Sequence, residues 1–147
     1  MTVHNASRMS GPTGVADDEY TTVAGVRRFL EPSLERDWIA EADIPGLAGA
    51  AQRVVAAITA GQRILVFGDF DLDGISATTV LTRGLRELGA DTVPFIPKRF
   101  EEGYGITAAA LERVKTYGPD FLVTVDCGIA CKAEVKLVQV AGIDVAI

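Results

Sequence analysis

Short apolar runs alternate with amphipathic segments through the second half of the chain. Four runs stand out, RILVF at 63–67, TVPFI at 92–96, FLVTV at 121–125 and IDVAI at 143–147. Nearly continuous apolar runs are typical of strands that are covered on both faces, as in a parallel sheet. The pattern therefore predicts four buried strands.

The segments between these runs have helical periodicity. They read ISATTVLTRGLREL, TAAALERVKTY and KAEVKLVQVA, and each is followed by a glycine that can end a helix, Gly89, Gly118 and Gly142. Alternating strands and helices form βαβ units, whose right-handed crossovers place helices on both faces of the sheet. We predict a Rossmann-like α/β fold over residues 62–147.

The first 61 residues have a different pattern. Residues 1–22 are polar and are expected to form a disordered tail, because they offer little apolar surface to bury. Residues 23–61 read as a helical lead-in, with one helix broken at Pro32 and a second ended by Gly61. The second helix places six residues on one predicted face, Leu47, Ala50, Ala51, Val54, Val55 and Ile58.

Charge and apolar content exclude several classes of protein. The 147 residues carry a net charge of −6, so the chain as a whole is not a polycation that coats nucleic acid or anionic lipid. No segment approaches the roughly 20 apolar residues of a membrane span, and the start lacks the apolar region of a signal peptide. A cytoplasmic location without membrane contact is the expectation.

Two cysteines, Cys127 and Cys131, are separated by three residues. A zinc site needs about four thiolate or imidazole ligands, and the one histidine is the distant His4. We interpret both cysteines as reduced thiols.

Aspartates follow two of the predicted strands. Three come after the first strand and one after the third, namely Asp69, Asp71, Asp73 and Asp126. The carboxyl ends of parallel strands meet at one edge of a sheet, so about four carboxylates are expected to converge there. Extended backbone would place the first three on one side. Because crowded carboxylates repel each other, they favour a hard cation such as Mg²⁺ or Mn²⁺. The alternative is a solvated acidic loop.

Two other motifs use similar letters. A calcium-binding EF-hand loop starting at Asp69 would need a glutamate at its twelfth position, which is Val80, and a preceding helix rather than a strand. The haloacid-dehalogenase signature would need a threonine where Ile75 stands. Both alternatives fit less well than a Mg²⁺ or Mn²⁺ site.

A basic loop, IPKRFEEGYGIT, follows the second strand at the same predicted edge. Arginine can bind phosphate with two hydrogen bonds, glycines admit an anion to the backbone, and a tyrosine ring can support a base. The candidate substrate-binding residues are Lys98, Arg99, Gly103, Tyr104 and Gly105. The alternative is a turn in which Arg99 pairs with Glu101 or Glu102.

Taken together, GDFDLDG, PKRFEEGYGIT and LVTVDCGI resemble the first motifs of the DHH phosphoesterase superfamily, and the similarity covers roughly residues 26–147. The resemblance implies that Asp71 and Asp73 are metal ligands, with Asp69 as a neighbouring or alternative carboxylate and Asp126 bridging two metals. It also implies that Arg99 holds substrate phosphate. Many relatives carry a histidine where this chain has Phe67.

The resemblance further implies a catalytic role. It indicates a two-metal hydrolase with Mn²⁺ or Mg²⁺, acting as a 5′-to-3′ exonuclease on single-stranded DNA in repair and recombination, with DNA-repair proteins among its expected partners. An enzyme for oligoribonucleotides or small nucleotides, or a non-catalytic binding module, are the alternatives. The Asp-His-His triplet would fall just beyond Ile147, so we expect an N-terminal part that is inactive by itself.

Overall fold

The computed structural model describes residues 22–147, which form two units, residues 22–44 and Pro45–Ile147. The expected tail lies outside the described residues except for Thr22. The first unit contains α1 (Val23–Leu30), α2 (Leu34–Asp37) and a 3-10 turn at Glu41–Asp43. The predicted break at Pro32 is confirmed; Arg28 binds Asp37 across it, and Arg36 binds the same carboxylate from the neighbouring position.

The second unit is a four-stranded parallel sheet with helices, which confirms the predicted α/β class. Its strands are β1 (Ile64–Phe67), β2 (Thr92–Phe95), β3 (Phe121–Thr124) and β4 (Asp144–Ala146), in the spatial order β2-β1-β3-β4. Its helices are α3 (Leu47–Thr59), α4 (Leu72–Glu87), α5 (Arg99–Glu102), α6 (Ala108–Thr116) and α7 (Lys132–Val140). Within residues 22–147, no helix is both long and apolar enough to cross a membrane.

Helices cover both faces of the sheet, as predicted. Along β1, Leu65 and Phe67 belong to one buried cluster with residues of α6 and α7, while Ile64 and Val66 belong to a second cluster with α3 and α4. Successive side chains of β1 point to opposite faces of the sheet, so this one strand contributes residues to both clusters. Each fully buried aliphatic side chain contributes about 1.5–3 kcal/mol, so these two clusters are the main source of stability.

The buried stripe of α3 differs from the predicted face. Ala57 is buried and Ala50, Val54 and Ile58 pack partly against the second cluster, whereas Leu47, Ala51 and Val55 are exposed. The side of the helix that packs on the sheet follows a spacing of three or four residues and is narrower than the apolar pattern in the sequence. Including Leu47, Ala51 and Val55 in the core-facing set was therefore wrong.

Sheet order determines where a ligand can bind. From β1 the chain passes to β2 on one side, then crosses back over β1 to β3 on the other side. Ligands of open α/β sheets bind at such reversals, outside the carboxyl ends of the strands. The loops that follow β1, β2 and β3 all open toward this edge.

Candidate functional site

The loop between β1 and α4 depends on two glycines. A Cβ atom on Gly68 would lie 1.8 Å from the hydroxyl of Thr78, and one on Gly74 would lie 2.6 Å from the carbonyl oxygen of Asp69. Real Cβ contacts of this length do not occur, because the atoms would overlap. The glycines therefore let the first turn of α4 lie directly against the end of β1.

The three aspartates of this loop have different roles. The side chain of Asp69 is 2% exposed and accepts a hydrogen bond from the backbone of Phe70 at 2.7 Å. Asp71 accepts from the backbone N–H of Gly74 at 2.9 Å and so caps α4. Asp73 lies in the first helical turn, where a carboxylate is favoured by the helix dipole.

This geometry corrects one prediction. Extended backbone through residue 73 would have placed all three aspartates on one side, but α4 begins at Leu72. The cap made by Asp71 starts the helix early, so Asp73 follows helical geometry rather than the alternation of a strand.

Asp126 approaches the same carboxylates from the end of β3. Its backbone is left-handed, with φ at 59°, which is uncommon for a residue other than glycine. Loss of solvent, followed by the charges of Asp71, Asp73 and Asp69, raises the pKa of Asp126. The structure thus brings together the carboxylates that the sequence singled out.

The four aspartates do not form a closed ligand cage. Within residues 22–147, no group of three or more aspartate, glutamate, cysteine or histidine side chains is arranged to hold a metal ion. Their oxygen donors nevertheless suit a hard divalent cation, and the repulsion at Asp126 is of the kind that such a cation would relieve. The ligand roles of Asp69, Asp71, Asp73 and Asp126 stay predictions.

The loop after β2 contacts the acidic loop through an arginine and two aromatic rings. The guanidinium carbon of Arg99 lies 4.5 Å from the centre of the Phe70 ring, and the rings of Phe70 and Tyr104 meet edge to face at 6.0 Å. The charge of Asp69 raises the pKa of Tyr104, with loss of solvent and a hydrogen bond to Asp69 as smaller causes. Tyr104 therefore remains a neutral phenol at pH 7.

The turn considered as an alternative for Arg99 is wrong. Glu101 pairs with Lys98 at 2.9 Å, and Glu102 pairs with Arg113 of helix α6. Among the described residues, Arg99 makes no ion pair. Lys98, by contrast, is engaged with Glu101.

Gly103 and Gly105 take positive φ values of 84° and 68° on either side of Tyr104, a conformation that glycine adopts without strain.

Both cysteines are free thiols, as interpreted from the sequence. The Sγ atom of Cys127 lies 3.9 Å from the carbonyl oxygen of Phe67. Burial raises the pKa of Cys127 to about 12, with a smaller contribution from Asp69. The group is therefore a neutral thiol at pH 7, which gives it little nucleophilic or metal-binding character.

Sequence reasoning missed Phe70 and Arg113 at this edge and considered Glu102 only as a partner of Arg99. The ring of Phe70 contacts the guanidinium of Arg99. Its place between two aspartates indicated that Phe70 lies near the site but not that it makes this contact. Glu102 and Arg113 join the loop to α6, but their separation of eleven residues across a loop gives no local pattern.

Comparison with known proteins identifies a family and several similar proteins. The model of the DHH family, N-terminal domain, matches residues 63–147. The single-stranded-DNA-specific exonuclease RecJ of Bacillus subtilis is 35% identical over 128 residues, covering 87% of this chain and 16% of that protein. The protein of the same name from Thermus thermophilus is 45% identical over 104 residues, covering 69% of this chain and 15% of that protein.

A solved structure is similar as well. The crystal structure of exonuclease RecJ bound to manganese aligns with a TM-score of 0.64 and 44% identity, over 73% of this chain and 28% of that one. The chain thus spans less than a fifth of the length of the two curated relatives. The family model covers more than half of the chain, and the chain belongs to the DHH family.

Proposed function

We propose that this chain supplies part of the active site of a metal-dependent phosphodiesterase, an exonuclease that degrades single-stranded DNA from 5′ to 3′ in repair and recombination. The observation that carries the proposal is the contact between Arg99 and Phe70, which joins the basic loop to the acidic loop at one sheet edge. The relatives, named as exonucleases specific for single-stranded DNA, support the substrate.

A divalent cation fits the donor set. Asp71, Asp73 and Asp126 would hold Mn²⁺ or Mg²⁺, with Asp69 beside them, and two ions are the expected number. The similarity to an exonuclease bound to manganese supports the choice of metal. When bound, such ions polarise phosphate oxygens and generate hydroxide from water at neutral pH.

The chain's own residues would bind and orient the substrate. Arg99 has no carboxylate partner among the described residues, so its guanidinium can donate two parallel hydrogen bonds to a phosphate. The phenol of Tyr104 is neutral at pH 7, so its hydroxyl can donate a hydrogen bond to a phosphate, and its ring can stack against a nucleobase. Phe70 holds Arg99 over its ring face by a cation–π contact.

The test is binding of a 5′-phosphorylated single-stranded oligodeoxynucleotide to the 147-residue chain, measured by fluorescence anisotropy with and without Mn²⁺. We expect Mn²⁺ to strengthen binding and Arg99→Gln to weaken it about tenfold, the value of one charge-assisted hydrogen-bonding group. Arg83→Gln is the matched control, because Arg83 is exposed on α4. Equal losses in both variants, or binding indifferent to Mn²⁺, would contradict the proposal. Equal affinity for the matching RNA would contradict the DNA preference alone.

A further inference from the structure

Arg113 makes the most extensive side-chain contacts next to the site. Its Nη2 atom lies 2.7 Å from a carboxylate oxygen of Glu102 and 2.8 Å from the carbonyl oxygen of Ile96, and its Nε atom donates to the other oxygen of Glu102. Its guanidinium carbon is 3.9 Å from the centre of the Phe95 ring. Arg113 therefore joins α6, the end of β2 and the basic loop.

Glu102 connects Arg113 to the rest of the loop by hydrogen bonds. Its carboxylate accepts a hydrogen bond from the backbone of Lys98 at 2.6 Å, and its carbonyl accepts one from the hydroxyl of Thr107 at 2.6 Å. These bonds fix both ends of α5, a helix of one turn. A helix this short is not stable by itself, so its position depends on these bonds and on the ion pair with Arg113.

The Arg113–Glu102 ion pair is less exposed to solvent than the neighbouring Lys98–Glu101 pair. The side chains of Arg113 and Glu102 are 28% and 8% exposed, against 57% and 68% for Lys98 and Glu101. An exposed pair contributes little, whereas breaking a buried, doubly bonded pair leaves a charge without its partner. The Arg113–Glu102 pair is therefore the one that can determine where the loop lies.

We propose that Arg113 is a positioning residue for substrate binding. Through Glu102 it places Arg99, the first residue of α5, over Phe70, and it places Tyr104 beside Asp69. Arg113 itself does not touch the substrate. This inference rests on the proposed function, since it gives Arg99 and Tyr104 the task of binding DNA phosphate.

The first readout is independent of DNA. Amide hydrogen exchange is compared in the 147-residue chain and in Arg113→Gln, Arg113→Lys and Glu102→Gln. We expect faster exchange confined to residues 98–105, while the strands keep their protection. Glu101→Gln is the matched control, which removes a carboxylate from the same helical turn and should leave exchange unchanged. Unchanged exchange at 98–105 in all three test variants would overturn the inference.

The second readout is affinity for the 5′-phosphorylated oligonucleotide. Arg113→Gln is expected to weaken binding about tenfold, and Glu101→Gln less than about twofold. In a background that carries both Arg99→Gln and Tyr104→Phe, Arg113→Gln should cost little more, because Arg113 acts through these two residues. Additive losses would overturn the positioning role.

Failure of the inference differs from failure of the proposed function. If the unsubstituted chain binds and Arg99→Gln does not, while Arg113→Gln binds normally, the inference is wrong and the function stands. If the unsubstituted chain fails to bind the oligonucleotide, the function is refuted and so is the substrate role of Arg113. Hydrogen exchange then still decides whether the pair holds the loop.

Discussion

The guanidinium of Arg99 lies 4.5 Å from the centre of the Phe70 ring, although the two residues belong to loops that follow different strands. Phe70 is flanked by Asp69 and Asp71, so this contact holds a cation beside the carboxylates without forming an ion pair. The ring face attracts the guanidinium and leaves its N–H groups available for phosphate.

Removing this ring face is expected to weaken DNA binding modestly. A cation–π contact at an exposed site is worth about 0.5–1 kcal/mol, so Phe70→Leu should lower oligonucleotide affinity about two- to fivefold. Phe70→Tyr keeps the ring and serves as the control. Equal affinity of Phe70→Leu and the unsubstituted chain would show that the contact does not orient Arg99 for binding.

Gly74→Ala is expected to destabilise the chain by about 1–3 kcal/mol, the usual cost of forcing atoms into a packed site. The added methyl would lie 2.6 Å from the carbonyl oxygen of Asp69. Gly84→Ala is the control within the same helix, since its Cβ would meet no atom within 4 Å. It should stabilise by up to about 1 kcal/mol through helix propensity. Urea unfolding measures both changes, and similar values would contradict the close approach at Gly74.

Asp126→Asn is expected to raise the free energy of unfolding at pH 7 in the presence of EDTA. The pKa of Asp126 is raised in the folded chain, so its ionised form destabilises the fold at pH values above that pKa. Asparagine removes the charge and tolerates the left-handed backbone. The gain should shrink as the pH falls below the ordinary value of 3.8, where the carboxyl is protonated in both states. A gain that does not vary with pH would come from the backbone instead.

Glu102 contributes the opposite dependence on pH. The hydrogen bond from Arg113 is the main cause that lowers its pKa below the ordinary value of 4.5. A lowered folded pKa adds stability that is present above pH 4.5 and is lost as the pH falls through the folded value. Glu102→Gln should therefore be less stable at pH 7, with the difference narrowing as the pH falls below 4.5. Urea unfolding across this range checks it, and a constant difference would show that charge is not the cause.

Thr82→Val is expected to leave stability unchanged or raise it by about 1 kcal/mol, because it removes a buried hydroxyl without a hydrogen-bond partner among the described residues. Thr79→Val, on the same helix, is the comparison. The hydroxyl of Thr79 is exposed and donates to the carbonyl of Ile75 at 2.7 Å, so little apolar burial is gained there. A clear loss of stability in Thr82→Val, measured by thermal unfolding, would show that its hydroxyl has a partner such as water.

The strands and most helices could be predicted because their signals are local. ILVF at 64–67 is apolar without interruption and FLVTV at 121–125 has one threonine, and Thr107 caps the helix that begins at Ala108. The start of α4 was placed too late because the cap made by Asp71 lies within the acidic motif and was interpreted only as chemistry.

Two other features depend on tertiary contacts and have no local signal. Helix α5 is joined to the next helix by the ion pair between Glu102 and Arg113, residues that are eleven positions apart. The exposure of Val55 depends on how α3 lies on the sheet, which apolar periodicity alone does not determine. The same holds for the candidate site: its acidic and basic loops could be predicted from the sequence, but the Phe70 contact that joins them could not.

The most direct measurement is titration of the 147-residue chain with Mn²⁺ by isothermal calorimetry. Asp126→Asn is compared with Glu87→Gln, which removes a carboxylate from the far end of α4, about 20 Å from Asp73 by helical rise. We predict that the chain binds Mn²⁺, that Asp126→Asn weakens this binding at least about tenfold, and that Glu87→Gln leaves it unchanged. Absence of Mn²⁺ binding by the unsubstituted chain, or equal affinity of both variants, would contradict a metal site built on these aspartates.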